Sequence, residues 1–202
     1  METIALNETI EYLILDAEGN IMITRNEALR LMKSSSKLFH AVMVSTLMSD
    51  LAEKLDENKQ EWWLVGLLHD MDYDETKNAM SKHGLIAAEK LKGRLSEYCL
   101  HAIKTHDHGA GVEPQSRLDK ALIATDSLAN LIERMGKTHE SLTVEGLQTE
   151  LNRISSNQPW FRNNILMCAE IGLDLAEFFQ LCLKSLGRKD LVRKQNRRKK
   201  TG

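Results

Sequence analysis

The sequence predicts an all-α protein, and two observations support this class. Proline occurs only at positions 114 and 159 in 202 residues, so few positions would break a helix. Apolar residues recur mostly at intervals of three and four, which places them on one face of a helix. The apolar content of 42% and the charged content of 28% are ordinary for a globular protein. We expect one helical domain with a full hydrophobic core.

Composition also excludes several classes of protein. No apolar run reaches the roughly eighteen residues of a membrane span, and residues 1–4 lack the basic-then-apolar pattern of a secretory signal. The cysteines Cys99, Cys168 and Cys182 are widely spaced within apolar helical patterns, which favours reduced core thiols over disulfides or a thiolate metal site. We expect a cytoplasmic protein that makes no contact with membranes.

Charge is distributed unevenly along the chain. Residues 184–202 contain nine Lys or Arg and one Asp, so the remaining 18 basic and 28 acidic residues give residues 1–183 a net charge of −10. We interpret residues 188–202 as a flexible, solvated basic tail, with contact to nucleic acid as the less favoured alternative.

Strands are predicted only near the N-terminus. Residues 10–24 contain two β-leaning apolar runs around a Gly-Asn pair, which favours a hairpin; a helix over residues 7–16 is the alternative. Thr24 and Glu27 have the spacing of a capping box, so the first helix of the main domain should begin near residue 25. We divide the chain into an N-terminal extension (1–24), a main domain (25–187) and the tail (188–202).

Two helices follow that each direct a histidine inward. A helix over residues 36–55 places His40 on its apolar face, and the next helix runs from Trp62 into the adjacent pair His69 and Asp70. A single inward histidine is more often a hydrogen-bonded core residue than a ligand. A buried His-Asp pair, however, needs a counter-ion, a hydrogen-bond network or a metal.

Three later helices carry the other inward polar residues. His83 lies in the first turn of a helix from near Ser81, and His106 follows a helix over residues 95–105. Asp126 lies on the apolar side of a helix over residues 116–134, where an unpaired acid is rare. His101 and His108 fall outside these apolar stripes, and we interpret both as bystanders.

The last part of the domain offers no catalytic pattern. Helices are predicted over about 143–154, 160–170 and 173–186, and they form part of the core or a lid. The chemistry should therefore lie between the second helix and the helix that carries Asp126.

The inward polar residues belong to different predicted helices or their ends. Helical bundles build metal sites by such convergence, and nitrogen and carboxylate ligands suit Fe, Mn, Zn or Co. The candidate metal ligands are His40, His69, Asp70, His83, His106 and Asp126.

In this order of residues the sequence resembles the HD superfamily of metal-dependent phosphohydrolases, a family of helical bundles. The superfamily signature of a His, a His-Asp pair and a distant Asp corresponds to His40, His69-Asp70 and Asp126. Members with two metals have two further histidines, which correspond to His83 and His106; the bacterial diadenosine tetraphosphate hydrolases are similar in this respect.

The resemblance implies a ligand set and a reaction. His40, His69, Asp70 and Asp126 would hold one ion, and Asp70 would bridge to a second ion held by His83 and His106. Iron or manganese is expected, with Zn, Co, Ni or Mg also compatible. The implied reaction is hydrolysis of a phosphate ester or pyrophosphate bond in a small phosphorylated substrate, and a nucleotide is the expected substrate.

Further candidates for catalysis lie close to the pair. Asp70, Asp72 and Asp74 are candidates for holding a ligand or orienting water, and Lys104 for binding an anionic substrate. Two alternatives to hydrolysis stay open: a di-iron oxygenase of the HD type, and a regulatory module that binds metal without turnover. Asp107-His108 after His106 departs from the diadenosine tetraphosphate hydrolases, so their substrate does not transfer.

Overall fold

The protein is described by a computed structural model over residues 23–187, and in this range it is all-α, with no strand. Its α-helices are α1 (Arg25–Met32), α2 (Leu38–Leu55), α3 (Lys59–Leu68), α4 (Tyr73–Thr76), α5 (Leu85–Leu91), α6 (Glu97–Thr105), α7 (Arg117–Met135), α8 (Val144–Ser155), α9 (Pro159–Leu166) and α10 (Leu175–Leu186). Short 3₁₀ helices lie at Met80–Lys82, His108–Ala110, His139–Ser141 and Met167–Ile171. The predicted all-α class is confirmed.

The two chain ends stay predictions. The hairpin expected over residues 10–24 lies outside the described residues except for its last two, and the basic tail over 188–202 lies wholly outside them. The boundaries of the main domain at 25 and 187 are likewise a prediction. None of the helices between residues 23 and 187 has the length and apolar character that a membrane span requires.

Side-chain caps fix where two key helices begin. Thr24 forms the predicted capping box: its hydroxyl accepts the amide hydrogen of Glu27 at 3.2 Å, and Glu27 accepts that of Thr24 at 2.9 Å. Ser116 and Asp119 form the same box at the start of α7. These caps satisfy amides that have no partner within the helix.

The pairing of α2 with α3 begins the construction of the site. These helices are joined by a short connection and run antiparallel, so the start of α2 lies beside the end of α3. Gly66 permits the close contact, because a Cβ atom there would lie 2.7 Å from Cα of Ser45. The arrangement brings His40 to His69, with ring centroids 5.4 Å apart.

The other helices cover this pair. Helix α7 packs against both α2 and α6, and α9 and the Met167–Ile171 turn pack on α7. The buried apolar residues form one core cluster that runs from α1 to α10. The site therefore lies where α2, α3, α6 and α7 meet.

Two predicted helices differ from the structure. The helix expected from Ser81 begins only at Leu85, because Gly84 has a φ of +75° and interrupts helical geometry. His83 therefore lies in the turn before α5 and not in its first turn. The helix expected over 160–170 ends as α9 at Leu166 and continues as a 3₁₀ turn.

Candidate metal centre

The structure brings all the predicted metal ligands together. The ring of His69 lies 4.9 Å from that of His106, which lies 4.7 Å from that of His83. The ligands form two overlapping groups that share Asp70: the first group is His40, His69 and Asp70, and the second group is Asp70, His83 and His106. Within each group the nearest ligand atoms all lie within 4.8 Å of one another. Asp126 joins the first group, with its Oδ1 atom 2.7 Å from Nε2 of His40.

Asp70 directs one carboxylate oxygen to each group. Its Oδ2 atom lies 3.8 Å from Nε2 of His40 and 3.6 Å from Nε2 of His69. Its Oδ1 atom lies 2.9 Å from Nε2 of His83 and 3.5 Å from Nε2 of His106. This is the arrangement expected of a carboxylate that is shared between two adjacent cation sites.

Backbone carbonyls fix the tautomer of two of these histidines. Nδ1 of His69 lies 2.9 Å from the carbonyl oxygen of Gly66, and Nδ1 of His106 lies 2.7 Å from that of Ile103. Since a carbonyl oxygen can only accept, each Nδ1 carries the hydrogen and donates it. Each Nε2 is then left with a lone pair directed into the cluster, as metal ligation requires.

Carboxylates play the same part for the other two histidines. Nδ1 of His83 donates to Oδ1 of Asp72 at 2.8 Å, and Nδ1 of His40 donates to Oε1 of Glu133 at 3.2 Å. Asp72 is fully buried and is itself held by the amide hydrogen of Ala87, which its Oδ2 atom accepts at 2.9 Å. A carboxylate behind a ligating imidazole orients the ring and raises its basicity.

The residues fit a divalent metal. Nε2 of His69 is buried and has no hydrogen-bond partner among residues 23–187; the nearest carboxylate oxygens, on Asp70 and Asp126, are 3.6 and 3.7 Å away, which is too long. A buried polar atom without a partner is costly, and a cation would supply the missing interaction. Imidazole and carboxylate donors are those of Fe, Mn, Zn or Co sites.

Neighbouring charges shift the pKa values of the cluster residues. Burial opposes protonation of His40, but hydrogen bonds to Asp126 and Glu133 outweigh it and raise the pKa of His40 to about 10. Burial likewise opposes protonation of His83, yet its carboxylate partners Asp70 and Asp72 raise its pKa to about 9. Burial would raise the pKa of Asp70, but the surrounding imidazoles hold it well below its usual range. Protons therefore occupy the positions for which a metal would compete.

Gly84 supports this arrangement from outside the cluster. A Cβ atom at Gly84 would lie 2.4 Å from the carbonyl oxygen of Ile103 and 3.2 Å from the ring of His106. That carbonyl is the one that accepts the Nδ1 hydrogen of His106. Glycine thus provides both the positive φ of the turn and the space behind a candidate ligand.

The candidates Asp74 and Lys104 have other positions. The carboxylate of Asp74 is exposed and accepts the amide hydrogen of Ser36 at 2.9 Å and its hydroxyl hydrogen at 2.6 Å. Lys104 is half-buried, and within the described residues no hydrogen bond or ion pair joins it to the cluster. Asp72, in contrast, supports His83 as described above.

Sequence reasoning missed two residues that border the cluster. Nζ of Lys37, the residue before α2, lies 3.5 Å from Oδ2 of Asp70 and 4.4 Å from the centre of the Tyr73 ring. Burial opposes a charge there, but Asp70 and Asp126 raise the pKa of Lys37 above its usual value. The second is Glu133, which could have been found from its position seven residues after Asp126, on the same face of α7.

The two histidines expected to be bystanders lie outside both groups. Nδ1 of His101 lies 2.8 Å from Oδ2 of the buried Asp119, which ties α6 to the start of α7. His108 is exposed, and its ring centroid lies 5.7 Å from that of Trp160.

The fold and the cluster define a class of protein: a helical domain with a His/Asp cluster of the composition of a divalent metal site. Comparison with protein families narrows the class, because residues 38–131 match the family model of the HD domain, a range that contains all the predicted metal ligands. The predicted resemblance to the HD superfamily is confirmed over these residues. Neither the curated proteins nor the solved structures gave a match.

Proposed function

We propose that this protein is a metal-dependent phosphohydrolase that cleaves a phosphate ester or pyrophosphate bond of a nucleotide. The observation that carries the proposal is the carboxylate of Asp70, which directs one oxygen to each histidine group. The HD domain is mostly found in hydrolases, which favours this reading over oxygen chemistry or regulation without turnover.

The residues divide into two ligand sets. His40, His69, Asp70 and Asp126 would hold one ion, and Asp70, His83 and His106 the other, with iron or manganese as the proposed metals. Divalent ions bound there would supply an activated water and positive charge for the phosphoryl oxygens. Asp72 and Glu133 hold the rings of His83 and His40 in position.

Lys37 completes the site as a binder of phosphate. Its ammonium group lies at the edge of the cluster, next to Asp70, and its side chain is 22% exposed, so an entering anion can reach it. A phosphate oxygen that accepts a hydrogen bond from Nζ of Lys37 would be oriented toward the shared carboxylate of Asp70. The Tyr73 ring under Nζ limits the directions in which the lysine can turn.

The substrate and location follow from the same proposal. We propose that the substrate is a small phosphorylated compound and that the protein acts on it in the cytoplasm.

The proposal is tested by metal analysis and turnover. Protein purified without chelators is analysed for Fe, Mn, Zn, Co and Ni, then screened against phosphorylated metabolites with Mn²⁺ or Fe²⁺ added. We expect bound metal and release of phosphate, both lost in Asp70→Asn. Asp56→Asn is the matched control, because this exposed residue has a φ of 57° that asparagine also adopts. Absence of turnover in metal-loaded protein, or oxygen consumption with an organic substrate, would overturn the proposal.

A further inference from the structure

An exposed pair of aromatic rings lies outside the cluster and has no part in the function proposed above. Trp160, in the first turn of α9, is 42% exposed although tryptophan is usually well covered. Its ring centroid lies 5.7 Å from that of His108, at a tilt of 40°. Both rings therefore offer π surface to solvent at one place on the protein.

His108, one member of this pair, is connected through the chain to the second histidine group. His108 follows His106 by two residues, a length of chain that spans at most about 7 Å. The 3₁₀ helix that begins at His108 also packs against the Met80–Lys82 turn, which leads directly into His83. The rings thus lie within a short reach of His83 and His106.

Trp160, the other member of the pair, is connected to the first histidine group. Gln158, two residues before Trp160, accepts a hydrogen bond from Arg134 at 3.3 Å, and the Arg134 guanidinium lies 5.2 Å from the centre of the Phe161 ring. The neighbour of Arg134 is Glu133, which accepts the Nδ1 hydrogen of His40. The start of α9 is therefore linked to the first group through Arg134 and to the second through the contact of Trp160 with His108.

The cluster meets solvent along α7. The His69 side chain is fully buried, whereas those of Asp126 and Glu133 are 18% and 43% exposed. Asp126, Asn130 and Glu133 share one face of α7, the helix on which α9 packs, and Asn130 donates to Oδ1 of Asp126 at 2.9 Å. The exposed edge of the cluster and the start of α9 are therefore both attached to α7.

We propose that Trp160 and His108 form a stacking surface for the planar ring of the substrate, a nucleobase, while its phosphate lies at the histidine cluster. The proposal rests on the proposed function for the phosphate end and adds the residues that recognise the other end. Aromatic side chains stack on any base, so this surface selects nucleotides over sugar phosphates and does not select one base over another.

The test distinguishes binding of the base from binding of the phosphate. Binding of adenosine, AMP and ribose 5-phosphate to the metal-loaded protein is measured by equilibrium dialysis and by quenching of tryptophan emission. Trp62 is buried and Trp63 half-buried, so the exposed Trp160 should account for the quenching. Trp160→Ala and Trp160→Phe are compared with Leu31→Ala, an exposed apolar residue on α1.

We expect Trp160→Ala to weaken binding of adenosine and AMP roughly tenfold, to leave ribose 5-phosphate unaffected, and to abolish quenching; Trp160→Phe should keep most of the affinity. Unchanged adenosine binding in Trp160→Ala, or an equal loss for ribose 5-phosphate, would overturn the proposal. If adenosine binding depends on Trp160 but no compound releases phosphate, the stacking surface stands and the proposed hydrolase function falls.

Discussion

Nδ1 of His40 lies 3.2 Å from Oε1 of Glu133, a carboxylate whose side chain is 43% exposed. The corresponding partner of His83 is Asp72, whose side chain is fully buried and which also accepts the amide hydrogen of Ala87. The two histidine groups therefore differ in how firmly an imidazole is held. Water competes for Glu133 but not for Asp72, so the first group is the one that a single surface substitution can loosen.

Replacing Glu133 by alanine should weaken metal binding at the first group. We expect a loss of roughly tenfold, at the lower end of what partners of ligating histidines contribute, because Glu133 is partly solvated. Glu133→Gln keeps an acceptor and should lose less. Competition with a chromophoric chelator measures the affinity, and Glu89→Ala, at an exposed position on α5, is the control. Equal affinities for wild type and Glu133→Ala would contradict this role.

Removal of the shared carboxylate should differ from removal of one histidine. Asp70→Ala takes a ligand from both sets and should abolish both metal binding and hydrolysis. His83→Ala takes a ligand from the second set only and should leave about one ion per chain. Elemental analysis after desalting checks the stoichiometry. Two ions per chain in Asp70→Ala would show that this carboxylate does not join the two sets.

Lys37→Met should impair substrate binding without loss of metal. The methionine removes the charge beside Asp70 but preserves much of the side-chain volume over Tyr73. We expect KM for phosphorylated substrates to rise roughly tenfold, since hydrogen bonds to charged groups contribute about 1.5–3 kcal/mol. Lys33→Met makes the same change of charge at an exposed position and should behave as wild type. A parallel loss of bound metal in Lys37→Met would indicate a structural role instead.

Metal binding at neutral pH should release protons. In the metal-free protein the pKa of His40 is raised to about 10 and that of His83 to about 9, so both imidazoles are charged at pH 7. Their stabilising effect on the metal-free fold is complete below their ordinary pKa of 6.5 and is lost as pH rises through 9 to 10. Because ligation requires neutral imidazole, metal affinity should increase over the same range.

Calorimetric titration with metal in buffers of different protonation enthalpy measures this exchange. We expect release of protons at pH 7, from His40 and His83 among the ligands, and a smaller release at pH 9. A heat of binding that does not depend on the buffer would show that these nitrogens are already unprotonated.

Periodicity made the convergence of the cluster predictable from the sequence. His40 and Asp126 occupy positions on the apolar stripes of long helices, where burial follows directly from the 3.6-residue repeat. His69 and His106 lie at helix ends, where the same stripes still fix their direction. The family signature added the pairing between helices, which periodicity alone cannot give.

Lys37 and Glu133 were not predictable in the same way. Lys37 precedes α2, so no helical stripe assigns it a direction, and its contact with Asp70 arises from the pairing of α2 with α3. Glu133 is exposed and charged like an ordinary solvated residue, so only its spacing of seven residues from Asp126 on the same face of α7 indicates its role. Asp72 and Asp74 lie in the same acidic stretch of sequence. Only the turn before α4 determines that Asp72 is the buried one.

Gly84 shows that a site can be lost at a position with no chemistry of its own. A methyl group there would meet the carbonyl oxygen of Ile103 at 2.4 Å, and movement of that carbonyl would turn the ring of His106. If every residue were replaced in turn and the variants were assayed for activity, substitutions of Gly84 should therefore be lost as often as substitutions of the histidines. Evolution of this site should therefore be constrained by the lack of a side chain at Gly84 as much as by the side chains of the ligands.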